Sequence, residues 1–124
     1  VDKYADVPVY HVTGWYDSWT AQDTLSYRAL VGRKKGPHRL IVGPWTHGGQ
    51  SAYWAGETEF PPEAALEFNN WRVRWFDHWL KGDENGVDQD TPVKLFIMGG
   101  GDGHKTEKGR RSSGSCPRTA LAVT

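Results

Sequence analysis

Apolar and polar positions follow two different periods along this chain, and the switches between them mark its elements. The run Val7-Pro8-Val9-Tyr10-His11-Val12-Thr13 is β-branched and aromatic, as a strand requires, and Gly14 ends it. Leu40-Ile41-Val42 is a second, wholly apolar run that reads as a buried strand, with Gly43 and Pro44 expected to stop it. Between the two, Ala21, Leu25 and Ala29 recur at i, i+4 and i+8, which predicts a helix over 18–33 with one apolar stripe. Arg33-Lys34-Lys35-Gly36-Pro37 is its basic, glycine-proline stop. Strand, helix and strand form a β-α-β unit, and a crossover connection makes the strands parallel. A stronger helix is predicted over 61–81, where Phe68, Trp71, Trp75 and Trp79 fall at spacings of 3, 4 and 4, with Phe76 and Leu80 widening the face. Lys81-Gly82 supplies a basic last turn and a terminating glycine. Val93, Leu95 and Ile97 alternate with Lys94, Phe96 and Met98, the period-two pattern of a strand. The stretches 49–60 and 83–91 read as a polar aromatic loop and an acidic linker.

Both strands of the β-α-β unit end in glycine turns that deliver an ionisable side chain. Gly14-Trp15-Tyr16 leads to Asp17, and Gly43-Pro44-Trp45-Thr46 leads to His47, with Gly48 and Gly49 beyond it. The carboxyl ends of parallel strands are where open α/β sheets bind ligands. Neighbouring strands lie about 4.8 Å apart, so if these two are neighbours the carboxylate reaches the imidazole. That is the orienting half of a Ser-His-Asp arrangement, in which the acid fixes the histidine tautomer. Each residue also has a plain reading. Asp17 or Ser18 suits an N-cap on the following helix, and single histidines are common in loops. His11 and His38 read as partly buried strand residues. Asp77 and His78 are adjacent on a helix, so they point apart and make a poor catalytic pair.

Four motifs in order resemble a known family. Gly14-Trp15-Tyr16-Asp17, Gly43-Pro44-Trp45-Thr46-His47-Gly48, Trp75-Phe76-Asp77-His78-Trp79-Leu80-Lys81-Gly82 and Phe96-Ile97-Met98-Gly99 are similar to stretches of the serine hydrolases that group X-Pro dipeptidyl peptidase, cocaine esterase and the α-amino acid ester hydrolases. The resemblance implies that Asp17 and His47 are the acid and base of a triad, in the α/β-hydrolase order of serine, acid, histidine. It implies that the serine, its oxyanion-hole donors and a helical cap lie upstream of Val1. No Gly-x-Ser-x-Gly elbow occurs in the chain. By the same resemblance Trp15 and Trp19 flank the acid turn and contribute to the acyl or leaving-group pocket. Trp45 either packs the loop or lines the pocket. Tyr53 and Trp54 lie near the active-site opening. The implied fold class is α/β: residues 1–90 as the C-terminal part of an α/β-hydrolase domain, with parallel strands and a crossover helix. Residues 91–109 would start a β-sandwich of jelly-roll type, and 110–124 would be a disordered tail outside the family.

Composition narrows the function classes. Fifteen acidic residues balance fifteen basic ones, which leaves no electrostatic footprint for nucleic acid or an anionic membrane. No apolar run approaches the roughly 20 residues that span a bilayer, and no signal-peptide pattern opens the chain, so the reading leans cytoplasmic. The single Cys116 forms no internal disulfide. The resemblance implies as partners a small ester, amide or peptide substrate and the amino-terminal remainder of the hydrolase domain; a homo-oligomer is left open. No metal and no organic cofactor is expected. Seven tryptophans also admit a second reading, a non-catalytic module whose rings stack on carbohydrate or peptide. Burial of the Trp71, Trp75 and Trp79 stripe would weigh against that.

Overall fold

The computed structural model describes residues 2–113 and the backbone of residues 119–121. Its main sheet is built from β1 (Val9–Tyr16), β2 (His38–Thr46), β5 (Val93–Phe96) and β7 (Thr119–Leu121), in the order β1-β2-β5-β7. β1 and β2 are parallel neighbours, joined through helix α1 (Thr20–Leu30). β5 lies parallel to β2 on its other side, and β7 is antiparallel to β5. The stretch read as the opening strand of a sandwich thus adds to the same sheet as the two turn-bearing strands. A smaller sheet joins β3 (Trp54–Ala55), β4 (Thr58–Glu59) and β6 (Arg111–Ser112). The predicted loop over 49–60 therefore contains a hairpin. Two strands, β6 and β7, fall inside the stretch read as a disordered tail; residues 114–118, with Cys116, and 122–124 lie outside those described.

Alternation along β1 assigns its two faces. Thr13 donates a hydrogen bond to Thr20 of α1 at 3.5 Å, and the ring of His11 lies 5.7 Å from that of Tyr27. Tyr10, on the opposite face, meets Trp71 at 4.4 Å and Trp75 at 5.1 Å, both edge-to-face. Those rings belong to α2 (Phe68–Phe76), so the sheet lies between two helices. Both helices are shorter than predicted. Ala65 is extended, with ψ 134°, and separates a single 3₁₀ turn, Pro62–Ala64, from α2. Past Phe76 the helix widens into a π turn, Asp77–Lys81, which Gly82 closes at φ +83°.

The face that α1 turns to the sheet is not its apolar stripe. Leu25 is exposed, whereas Leu30 is buried and Thr20, Thr24 and Tyr27 are half-buried. The cause is the surface they meet: His11, Thr13 and His38, all buried and all polar. Along α2 and the π turn that follows it, Trp75 is buried and Trp71 and Trp79 are half-buried, but Phe76 and Leu80 stand exposed. The acidic stretch folds back onto this helix. Arg74 donates to Asp90 Oδ2 at 2.8 Å and to the Asn85 carbonyl, Asn85 Nδ2 returns a bond to the Arg74 carbonyl at 2.7 Å, and Val87 is fully buried.

The histidine pair under α1 makes stability depend on pH. The rings of His11 and His38 lie 5.9 Å apart, and His11 Nε2 and both His38 nitrogens are buried without a hydrogen-bond partner. Burial, and secondarily the neighbouring His38, holds His11 below the ordinary histidine value. Burial lowers His38 as well, partly opposed by Asp6. In the unfolded chain both titrate near 6.5. Just below that pH the unfolded state binds more protons than the folded one, so stability falls as pH drops through it. The slope is at most about 1.4 kcal/mol per pH unit for each histidine. Urea midpoints at about pH 7.5 and pH 5.5 should differ in this direction, with a smaller difference in His11→Phe. Equal midpoints would count against a buried neutral pair.

Candidate active site

The acid and the imidazole meet. His47 Nδ1 lies 3.1 Å from Asp17 Oδ2. An ionised carboxylate can only accept, so Nδ1–H is the donor in this contact, and in the neutral imidazole the lone pair is then on Nε2. The two side chains differ sharply in exposure, 5% for Asp17 and 75% for His47. The carboxylate is the enclosed, fixed member and the imidazole the accessible one.

A bulge brings them together. Gly14 pairs with Gly43 and Tyr16 with Thr46, so β2 carries one extra residue between these pairs. The added residue bends β2 and carries the Trp45 carbonyl over Gly14. A Cβ on Gly14 would lie 2.1 Å from that carbonyl oxygen, so only glycine fits. The sequence predicts that Gly43 and Pro44 stop the strand. Instead β2 runs on through Pro44 to Thr46, and the glycine leaves room for the Trp45 ring, 2.3 Å from where a Cβ would stand. His47 then leaves the strand in a turn closed by Gly49 N–H donating to the Thr46 carbonyl at 3.0 Å, with Gly48 at φ +75°.

The acid turn is held by its own backbone. Asp17 N–H donates to the Gly14 carbonyl at 2.9 Å, and Trp19 N–H donates to Asp17 Oδ1 at 2.9 Å. Asp17 is therefore not the helix cap; Trp19 occupies that place, without a capping side chain. One carboxylate oxygen is held by the backbone and the other is left for His47. Thr20 donates to the Asp17 carbonyl at 2.7 Å and also lies against the Gly14 carbonyl. Thr13 and Thr20 were not singled out from sequence. A threonine three residues after the aspartate, placed to bond back to its carbonyl, was the available signal.

The aromatic candidates divide. Trp45 is 3% exposed and its indole N–H donates to the Ala64 carbonyl at 2.7 Å, so it packs the loop. Tyr53 packs against the buried cluster Ala55, Phe60 and Ala64, and Lys108 donates to its hydroxyl at 2.7 Å. Trp54 is exposed on one side, and the Arg110 guanidinium stands 4.9 Å over its ring. Trp15 and Trp19 are exposed beside Asp17, and Trp15 is anchored to β5 by its indole N–H, 2.7 Å from the Phe96 carbonyl. Among the described residues no group of three or more metal-ligating side chains is assembled. No described helix is long and apolar enough to cross a membrane.

Comparison with known proteins points the same way as the motifs. The family model described as X-Pro dipeptidyl-peptidase (S15 family) matches residues 1–49, which contain both turns. Proteins named as serine esterases from Mycobacterium bovis and Mycobacterium tuberculosis are each 30% identical over 94 residues, 73% of this chain and 14% of theirs. The cocaine esterase of a Rhodococcus species is 26% identical over 97 residues, 74% of this chain and 16% of its own. The chain thus spans about one-seventh of the length of these relatives. Over the stretch that carries both turns it is similar to the serine hydrolases that group the X-Pro dipeptidyl peptidases with cocaine esterase.

Proposed function

We propose that this chain supplies the acid and the base of an acyl hydrolase acting on a small ester, amide or peptide. The observation that carries the reading is the 3.1 Å contact between the enclosed Asp17 carboxylate and the Nδ1 edge of the exposed His47 ring. In the intact protein a serine from the rest of the domain attacks the carbonyl of the substrate. His47 Nε2 takes the serine proton and returns it to the leaving group, while Asp17 holds the tautomer and stabilises the imidazolium. Water then releases the acyl group by the same route. Trp15 and Trp19, exposed on the acid turn, are the side chains of this chain best placed to contact acyl or leaving group. A β-sandwich domain is proposed to follow the hydrolase domain, as the resemblance implies. The binding-module reading is the weaker one: Trp45 and Trp75 are buried, and a stacking surface needs exposed rings.

Purified alone, the chain should not hydrolyse a nitrophenyl acyl ester above the rate of free histidine, and a fluorophosphonate probe should leave it unlabelled. Donors for the oxyanion are each worth about 10²–10³ in rate, and the reading assigns them to the rest of the domain. Strong probe labelling of the isolated chain would overturn the reading, because one of its six serines would then be the activated nucleophile.

A further inference from the structure

We infer that Thr20 is a positioning residue for the acid: its hydroxyl fixes the turn that aims Asp17 at His47. The inference rests on the assignment of Asp17 and His47 as acid and base. The Thr20 oxygen lies against the carbonyls at both ends of the turn, that of Gly14 and that of Asp17, the latter at 2.7 Å. Thr13, fully buried on β1, donates to the same oxygen at 3.5 Å. A hydroxyl has one proton and two lone pairs. Thr20 shares its proton between the two carbonyls and accepts the proton of Thr13. One atom on the first turn of α1 thereby ties together the fully buried Thr13 of β1, the start of the turn and the aspartate.

The consequence reaches the carboxylate through the backbone. Asp17 Oδ1 is held by the N–H of Trp19, the residue before Thr20. With the Asp17 carbonyl and the Trp19 N–H both held, the carboxylate plane is set, and Oδ2 faces His47. A β-branched residue suits this post, because its χ1 is stiff. Without the hydroxyl the turn still keeps two bonds, Asp17 N–H to Gly14 at 2.9 Å and Thr20 N–H to Asp17 at 3.3 Å. Loss of the hydroxyl should therefore loosen the turn without unfolding the sheet.

Three variants of the intact protein containing this chain test it: Thr20→Val, which keeps the shape and removes the hydroxyl, Thr20→Ser, which keeps the hydroxyl, and Thr20→Val combined with Asp17→Asn. Thr20→Val should lower kcat on a nitrophenyl ester by about 10–100-fold with KM little changed, the scale of a displacement near 1 Å at a reacting group. Thr20→Ser should restore most of that loss. In the Asp17→Asn background the valine should cost almost nothing further, because its effect passes through the carboxylate. A Thr20→Val loss of equal size in both backgrounds, or an unchanged kcat in Thr20→Val, overturns the role of Thr20 and leaves the pair standing. An Asp17→Asn protein of undiminished activity overturns the pair, and this inference with it.

Discussion

Replacing Asp17 by Asn in the intact protein is expected to lower kcat by about 10⁴, the loss seen when a triad acid can no longer set its histidine tautomer. The structure makes this a clean substitution. Asn keeps an oxygen where Oδ1 accepts the Trp19 N–H at 2.9 Å, so the turn keeps its hold on the side chain. Its amide nitrogen then replaces Oδ2, the atom 3.1 Å from His47 Nδ1. An amide nitrogen donates where the carboxylate accepted. Nδ1 must give up its proton, the proton moves to Nε2, and the base has no lone pair facing the serine. The imidazolium formed in the transition state also loses its neighbouring charge. His47→Ala should cost at least as much. The thermal midpoint of Asp17→Asn should change little, which separates lost chemistry from lost fold. Activity within tenfold of the parent in either variant would remove the acid-base assignment.

The parts of the site that could be read from sequence are those fixed by neighbours in the chain. Gly14 to Asp17 and Gly43 to His47 are strand-end turns whose glycines and apolar runs stand within a few residues of the side chain they deliver. The parallel pairing followed from a single helix between them. What could not be read depends on partners distant in sequence. Leu25 carries the apolar signal on α1, yet the helix meets His11, Thr13 and His38, and these select Thr20 and Tyr27. Whether Trp45 packs or lines a pocket was decided by an extra residue in β2, which seats its ring over Gly43 and its indole N–H on Ala64. The acidic stretch read as a linker because its anchors are side chains of α2: Arg74 reaches Asn85 and Asp90. The stripe on the second helix failed at Leu80 for a local reason. An i, i+4 projection assumes an α-helix throughout, and the π turn at Asp77–Lys81 changes the angle between Phe76 and Leu80.

Removing the Trp75 ring is expected to destabilise the fold by about 3–5 kcal/mol, the cost of a large cavity in a packed core. Trp75 is 6% exposed. Its ring meets Tyr10 of β1 at 5.1 Å and Trp79 at 5.7 Å, so it joins the sheet to both halves of the second helix. Tyr10 also touches Trp71 at 4.4 Å. Trp75→Ala therefore opens a void beside two further aromatic rings that are held by mutual contact. Small domains have only about 5–15 kcal/mol of stability, so the loss is a large fraction of the whole. Leu80→Ala is the matched control. Leu80 lies on the same predicted stripe but is 78% exposed, and its truncation should stay within about 0.5 kcal/mol. Urea denaturation of the two variants distinguishes a helix docked by its tryptophans from one that displays them. If the stripe were a binding face, Trp75→Ala would also be nearly neutral to folding, and the loss would appear only in ligand binding. Equal, small effects from both substitutions would remove the docking of α2 on β1. A loss of several kcal/mol confined to Trp75 would leave the exposed rings of Trp15, Trp19 and Trp54 as the tryptophans still available to a ligand.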